Sequence, residues 1–172
     1  MGSELRLVYS ASQIAEAVQK LAERIEKDYA GKELVLVVVL KGALFFAADL
    51  ARQIRLPLTL EFVTLRSYNG TSSSGTVTVT QGLDAPLRGR DVLIVEDIVD
   101  TGLTLKFLFS SLQEQEPQSL KLCTLLDKGG RRQFPANPEY VGITCENRFL
   151  VGYGLDLDEK YRELPAIYER IT

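Results

Sequence analysis

The apolar run at residues 33–40, ELVLVVVL, constrains the fold more than any other feature of this sequence. It is rich in β-branched residues and lacks the alternation of a half-exposed strand, so it predicts a strand buried on both faces, as in a parallel sheet. Strand patterns alternate with helical patterns along the chain, which indicates an α/β domain with a mainly parallel sheet flanked by helices. Further strands are predicted at residues 58–65, 76–80, 91–95, 119–126, 140–145 and 149–153, and helices at residues 12–29, 43–54 and 103–115.

Composition argues against several functional classes. The 172 residues fit one domain, and the net charge of −3 argues against a nucleic-acid partner, which requires a basic surplus to neutralise phosphates. The N-terminus has no signal-peptide pattern, and the longest apolar run is too short to cross a bilayer. Cys123 and Cys145 lie in apolar, strand-like runs that suit free thiols rather than a disulfide framework. We therefore expect a cytoplasmic protein with no membrane association.

The sequence contains no histidine. This absence excludes both a histidine-dependent hydrolase triad and a histidine zinc site. Any general base in this protein must therefore be a carboxylate, a lysine, a tyrosine or a thiol.

Residues 95–104, VEDIVDTGLT, carry the most informative pattern, because an apolar strand runs through acids into a turn and a helix. In an open α/β sheet, ligands bind beyond the carboxyl ends of the strands. Backbone amides at a helix start are unpaired and partly positive, so they bind anions. Gly102 lets the backbone approach a ligand closely, and Thr101 and Thr104 add hydroxyl groups. The turn therefore predicts a phosphate-binding loop.

Three acids lie beside this predicted loop: Glu96, Asp97 and Asp100. On their own they would repel an anionic ligand. They are compatible with a ligand that also carries a ribose diol, whose hydroxyls donate to carboxylates, and with Mg²⁺, which binds carboxylate and phosphate oxygens. An ordinary strand-to-helix turn, with Asp100 or Thr101 as the N-cap, explains one acid and one hydroxyl but not Glu96 and Asp97.

This stretch resembles the phosphoribosyl pyrophosphate signature of the type I phosphoribosyltransferases, and the chain from Leu34 onwards is similar to the hypoxanthine-guanine phosphoribosyltransferase family. The resemblance implies purine salvage: the 5-phosphoribosyl group passes from phosphoribosyl pyrophosphate to hypoxanthine or guanine with Mg²⁺, giving IMP or GMP and pyrophosphate. It implies one domain over residues 1–172, with a core at about residues 10–145 and a small hood from the N-terminal segment and residues 146–172. Members of the family are usually dimeric or tetrameric.

The resemblance also implies which residues bind phosphoribosyl pyrophosphate. Glu96 and Asp97 hold the ribose hydroxyls, directly or through magnesium, and Asp100 is the general base beside the purine N7. Residues 100–104 hold the 5′-phosphate, with Leu103 where some relatives carry lysine. The other implied contacts are Lys41 and Gly42 in a pyrophosphate loop, Arg66, Ser67 and Tyr68 at the start of a mobile flap over residues 66–76, and Arg162. The peptide bond before Gly42 is expected to be cis.

On the purine side, the resemblance implies that Lys128 donates to O6, Phe149 stacks on the base, and the backbone of Leu150 reads the base edge. Because a lysine can only donate, it favours a 6-oxo over a 6-amino group. The resemblance also implies that Asp156 lies beside the purine and the pyrophosphate. The implied metal ligands are Glu96, Asp97 and Asp156. The segment at residues 146–148 departs from the Pro-Asp turn common in the family, so the ratio of guanine to hypoxanthine use stays open.

Two other classes of function remain open. One is a non-catalytic regulator that senses phosphoribosyl pyrophosphate and binds RNA; the acidic net charge and the presence of Asp100 and Lys128 argue against it. The other is a sister enzyme that acts on xanthine, adenine or a pyrimidine. The apolar residues around 43–50 are a candidate interface for a homodimer or homotetramer.

Overall fold

A six-stranded sheet forms the centre of the protein in a computed structural model that describes residues 4–68, 76–129 and 137–171. Its strands are β2 (Leu34–Leu40), β3 (Leu58–Tyr68), β4 (Thr76–Gln81), β5 (Asp91–Val99), β6 (Ser119–Asp127) and β7 (Tyr140–Thr144). They lie in the order β4-β3-β2-β5-β6-β7. β4 pairs antiparallel with β3, whereas the other neighbours are parallel. The predicted α/β architecture with a mainly parallel sheet is thus confirmed.

Helices cover both faces of this sheet: α1 (Ala11–Asp28), α2 (Leu44–Gln53) and α3 (Leu103–Gln113). Successive residues of β2 point to opposite faces, and both sets are buried. One set joins the core formed with α1 and α2: Leu34, Leu36 and Val38. The other joins the core formed with α3: Val35, Val37 and Val39. This double burial is the reason for the uninterrupted apolar run. No helix within the described ranges has the length and apolar character needed to span a membrane.

A second, smaller sheet joins the two ends of the chain. It consists of β1 (Glu4–Tyr9), β9 (Ile167–Ile171) and β8 (Leu150–Val151), which pair antiparallel in the order β1-β9-β8. β1 was not predicted from the sequence, because β9, its partner among the described strands, lies at the opposite end of the chain. β8 is shorter than the strand predicted at residues 149–153 and leaves Phe149 outside the sheet.

β5 is longer than predicted, and the difference changes the surroundings of the acids. The strand continues to Val99 instead of ending at Val95, so Glu96 and Asp97 are part of the strand. The reason is that β6 provides a hydrogen-bonding partner along the whole segment, up to the pair Val99–Asp127. Local sequence does not show how far such a partner extends.

β3 also extends into a region predicted as loop, at residues 66–76. It continues to Tyr68 because β4 pairs with it as far as Thr76, opposite Tyr68. The predicted start of the flap therefore lies in a strand: Arg66, Ser67 and Tyr68. The rest of the predicted flap, residues 69–75, lies outside the described residues.

Candidate active site

The ends of β5 and β6 place two predicted site residues next to each other. The last pair in the ladder between these parallel strands is Val99 with Asp127. Asp100 and Lys128 are the next residues along each strand, so they emerge side by side at the carboxyl edge of the sheet. The amide of Lys128 donates to the carbonyl of Val99 over 2.9 Å, which holds the two chain segments together beyond the ladder.

The side chains of this pair form a donor and an acceptor at one edge of the site. Lys128 Nζ lies 3.7 Å from Asp100 Oδ2, and the two side chains are 12% and 36% exposed. The ammonium group can only donate hydrogen bonds, whereas the carboxylate accepts them. A planar ligand with an acceptor beside a protonated nitrogen matches this arrangement.

The segment from β5 to α3 encloses a cavity of about 260 Å³, lined by residues 96–105. Gly102 is the N-cap of α3 with a φ of 76°, a left-handed conformation that favours glycine. The alternative of an ordinary turn capped by Asp100 or Thr101 does not hold, because no side chain caps the helix. The first intrahelical bond joins the amide of Lys106 to the carbonyl of Gly102, so the amides of residues 103–105 have no intrahelical acceptor. The helix start is therefore suited to bind an anion.

The acid pair lines the same cavity. The amide of Asp97 donates to Glu96 Oε1 over 3.1 Å, and the amide of Ile98 donates to Asp97 Oδ1 over 2.7 Å. Burial raises the pKa of Glu96 well above its ordinary value, and the neighbouring Asp97 carboxylate raises it further. Burial also raises the pKa of Asp97, although hydrogen bonds and the charge of Arg162 act in the opposite direction. Two adjacent, half-buried carboxyl groups that line a cavity favour a cation as a ligand.

Replacing Glu96 by glutamine is expected to stabilise the ligand-free protein at pH 7.5. The pKa of Glu96 is higher in the folded protein than in the unfolded chain. Below the unfolded pKa the carboxyl group is neutral in both states, and its full contribution to stability is present. That contribution is lost as the pH rises through the folded pKa. A neutral glutamine avoids that loss. We expect Tm to rise by a few degrees at pH 7.5, since 1 kcal/mol corresponds to about 2–4 °C in a domain of this size. The rise should be smaller at pH 5.

Thermal unfolding of the wild type and the variant at both pH values measures this effect. Glu163→Gln is the matched control, because Glu163 is an exposed acid outside the cavity, and it should leave Tm unchanged. An equal Tm for Glu96→Gln and the wild type at pH 7.5 would show that the charged carboxylate of Glu96 does not destabilise the folded protein.

Lys41 and Gly42 follow β2, and Gly42 lies against the acid pair. A Cβ atom at Gly42 would lie 1.9 Å from Asp97 Oδ2, so any side chain at this position would have to displace the Asp97 carboxylate. The cis peptide bond is Leu40–Lys41, one bond before the expected one. Neither bond precedes a proline, so no sequence feature distinguishes them.

The segment after β8 lies over Gly42. Gly154 has a φ of 99°, and a Cβ atom there would lie 1.9 Å from the carbonyl oxygen of Gly42. Arg162 Nη1 donates to the carbonyl of Gly154 over 2.6 Å, and Arg162 Nη2 lies 3.0 Å from Asp156 Oδ1. The charge of Arg162 also opposes the rise that burial causes in the pKa of Asp97. Arg162 and Asp156 are therefore linked to the segment that lies over Gly42.

Glu159 connects this segment to Lys41 and was not identified from the sequence. Its carboxylate pairs with Lys41 Nζ at 2.6 Å and with Arg162 Nη2 at 3.1 Å. The hydrogen bond from Lys41 lowers the pKa of Glu159 most, and the hydrogen bond from Arg162 lowers it further. Gly154 was also missed, although the Gly-Tyr-Gly spacing directly after an apolar strand was an available signal. For Glu159 the sequence held no such signal, since acids are frequent in this segment.

Other predicted residues are not joined to this cavity. Phe149 is 53% exposed and Leu150 is buried, and neither lines the cavity formed by residues 96–105. Asp156 pairs with Arg162 instead of meeting Glu96 and Asp97. Within the described ranges, no three acidic, cysteine or histidine side chains converge as metal ligands. The predicted ligand set therefore does not form a three-residue metal site from the protein alone.

In this protein, a central strand of the mainly parallel sheet contains an acid pair and leads through a glycine into a helix. This is the arrangement of a phosphoribosyl transferase. Residues 8–158 match the family model described as the phosphoribosyl transferase domain. The hypoxanthine-guanine phosphoribosyltransferase of Mycobacterium avium is 46% identical over 168 residues, which cover 94% of this chain and 83% of that protein. The hypoxanthine-guanine-xanthine phosphoribosyltransferase of Tritrichomonas foetus is 40% identical, over 94% of this chain and 89% of its own length.

A solved structure also has a fold that is very similar to that of this chain. A crystal structure of a hypoxanthine-guanine phosphoribosyltransferase from Bacillus anthracis has a TM-score of 0.93 and 44% identity, and the match covers 98% of this chain and 100% of that one. The chain belongs to the hypoxanthine-guanine phosphoribosyltransferase family, a family of purine salvage transferases. The fold and the class of enzyme expected from the sequence are confirmed.

Proposed function

We propose that this chain transfers the 5-phosphoribosyl group of phosphoribosyl pyrophosphate to N9 of hypoxanthine or guanine. The observation that carries this choice of base is the 3.7 Å separation of Lys128 Nζ and Asp100 Oδ2. A 6-oxopurine presents O6 and N7 next to each other on one edge. The lysine donates to O6, while the carboxylate accepts the proton of N7. Adenine would present an amino group to the lysine, so that one donor would face another.

The remaining site residues hold the sugar and its phosphates. Residues 100–104 bind the 5′-phosphate through the amides and the positive end of α3, with hydroxyls from Thr101 and Thr104. Lys41, the backbone of Gly42 and the guanidinium of Arg162 bind the pyrophosphate, in agreement with the way the segment after β8 lies over Gly42. The acids of β5 accept hydrogen bonds from the ribose hydroxyls.

The acid pair fits Mg²⁺. Mg²⁺ is commonly held by one or two carboxylates, with water and substrate phosphate oxygens completing the shell, so a three-residue protein site is not required. The raised pKa values of Glu96 and Asp97 reflect two adjacent, half-buried carboxyl groups that a divalent cation would stabilise in their charged form. We assign Glu96 and Asp97 as the ligands, with Asp156 acting through Arg162 or water. When bound, Mg²⁺ supplies charge neutralisation to the pyrophosphate leaving group.

In the reaction we propose, the purine N9 attacks the anomeric carbon from the face opposite the pyrophosphate. The bond from the anomeric carbon to the pyrophosphate oxygen breaks as the new bond to N9 forms. Asp100 Oδ2 takes the proton of N7, and Lys128 stabilises the charge that develops on O6. Positioning by the phosphate-binding loop brings N9 and the anomeric carbon together and supplies much of the acceleration.

We also assign parts of the site that lie outside the 260 Å³ cavity. The small sheet of β1, β9 and β8 serves as the hood over a core at about residues 10–145. The exposed ring of Phe149 stacks on the purine, and the backbone of Leu150 reads the base edge. We assign Arg66, Ser67 and Tyr68 to the binding of phosphoribosyl pyrophosphate, and the predicted flap that follows them lies outside the described residues.

We propose a homodimer or homotetramer in the cytoplasm, with no nucleic-acid or membrane partner. Leu44 and Phe45 are 46% and 39% exposed on α2, where a second subunit would cover them. Both cysteines are free thiols, as suits a reducing compartment.

A steady-state assay with a panel of bases tests the proposal. With phosphoribosyl pyrophosphate and Mg²⁺, we expect turnover of hypoxanthine and guanine, and no measurable turnover of adenine, orotate or uracil. Turnover of adenine or a pyrimidine would assign the chain to a sister enzyme, and xanthine in the panel shows whether the base range extends to a third 6-oxopurine. No turnover of any base would favour the non-catalytic regulator.

A further inference from the structure

We propose that Glu159 is an internal competitor of the pyrophosphate group, which holds Lys41 and Arg162 until phosphoribosyl pyrophosphate displaces it. This inference rests on the proposed function, because that function assigns both cations to the pyrophosphate. It adds a residue that does not contact the reacting atoms and instead sets the affinity for the leaving group.

A single carboxylate bridges two cations from distant parts of the chain. Glu159 Oε2 lies 2.6 Å from Lys41 Nζ, and Glu159 Oε1 lies 3.1 Å from Arg162 Nη2. Lys41 follows β2, whereas Arg162 belongs to the segment after β8. Each oxygen takes one cation, which is how two oxygens of a pyrophosphate would bind the same pair.

The backbone holds Glu159 in an unfavourable conformation. Leu157 and Lys160 exchange backbone hydrogen bonds of 3.1 and 3.0 Å around Asp158 and Glu159. The φ angles of these central residues are 52° and 63°, as a tight primed turn requires. Such a turn prefers glycine at its second central position, where this chain has Glu159. A residue kept in a strained position is commonly one with a functional role.

The carboxylate can leave without disturbing the rest of the site. The side chains of Lys41 and Glu159 are 64% and 63% exposed, and ion pairs this exposed are weak. Arg162 is also held by Asp156 and by the carbonyl of Gly154, so it stays in place when Glu159 moves away. A multiply charged pyrophosphate therefore displaces the single carboxylate, and the carboxylate competes again when pyrophosphate leaves.

Glu159→Gln tests this inference, because glutamine keeps the shape and removes the charge. We expect KM for phosphoribosyl pyrophosphate and the inhibition constant of pyrophosphate each to fall about three- to tenfold, a size that suits the loss of two ion pairs made by one largely exposed carboxylate. KM for hypoxanthine should not change. Glu163→Gln removes the same charge from an exposed acid outside these ion pairs and should change neither constant.

The outcomes separate this inference from the proposed function. Unchanged or weaker binding of phosphoribosyl pyrophosphate and pyrophosphate by Glu159→Gln, in an enzyme whose wild type turns over hypoxanthine, would overturn the competitor role alone. Tighter binding of both ligands with an unchanged KM for hypoxanthine would support it. A wild type that neither binds phosphoribosyl pyrophosphate nor turns over any base would overturn the proposed function, and this inference with it.

Discussion

Replacing Asp100 by asparagine is expected to lower kcat by about 10²- to 10⁴-fold, the usual contribution of a general base. Asparagine has nearly the same size, but its neutral amide does not take up the N7 proton. The residue lines the cavity with a side chain that is only 36% exposed, so bulk water does not readily replace it as the proton acceptor. KM for phosphoribosyl pyrophosphate should change little, since the amides of residues 101–104 remain in place.

Steady-state kinetics with hypoxanthine, together with thermal unfolding to confirm the fold, measure the effect of Asp100→Asn. Asp84→Asn is a suitable control, because Asp84 is an exposed acid outside the cavity. Turnover by Asp100→Asn close to that of the wild type would remove Asp100 from the role of base.

Replacing Lys128 by alanine is expected to raise KM for hypoxanthine by about 10- to 100-fold, because a hydrogen bond from a charged donor contributes about 1.5–3 kcal/mol. Lys128 is nearly buried beside Asp100, with a side chain that is 12% exposed, so water is a poor substitute for its ammonium group. Discrimination against adenine should weaken, since the donor that opposes a 6-amino group is gone. The affinity for phosphoribosyl pyrophosphate should be largely kept.

Lys121→Ala provides the comparison for Lys128→Ala. Lys121 is a half-buried lysine on β6, the strand that Lys128 follows, and its ammonium group lies 5.3 Å from the ring centroid of Tyr29. Removal of this lysine should leave both KM values near those of the wild type. Equal losses of affinity for the purine and for phosphoribosyl pyrophosphate in Lys128→Ala would contradict a specific role in base selection.

Much of the fold could be predicted because its signals are local. The buried run of β2 and the alternation of helices and strands are visible along the chain without knowledge of any contact. Strand lengths were predicted less well. β5 and β3 both extend beyond their apolar segments, to Val99 and Tyr68, because neighbouring strands continue to pair with them. β1 was missed because its partner lies at the other end of the chain.

In the candidate site too, the part formed by one contiguous segment could be predicted, whereas contacts between distant residues could not. The acids, Gly102 and the helix start of α3 are contiguous in sequence, so their chemistry could be inferred from spacing alone. Glu159 was not predictable, because its partner Lys41 is 118 residues away and neither residue type is unusual at its position. Gly42 was identified by resemblance, but only the structure shows that the carboxylate of Asp97 occupies the place that a side chain at this position would take.

Two properties of this protein depend on neighbouring residues, so they could be inferred from the sequence alone. One is the mainly parallel sheet. The other is the strand that leads through three acids into a helix start suited to bind an anion. The tertiary structure alone decided which groups face one another: Lys128 with Asp100, Gly42 with Asp97, and Glu159 with Lys41 and Arg162. These contacts depend on the register of adjacent strands and on the path of the segment after β8, and both are set by packing between residues far apart in the chain.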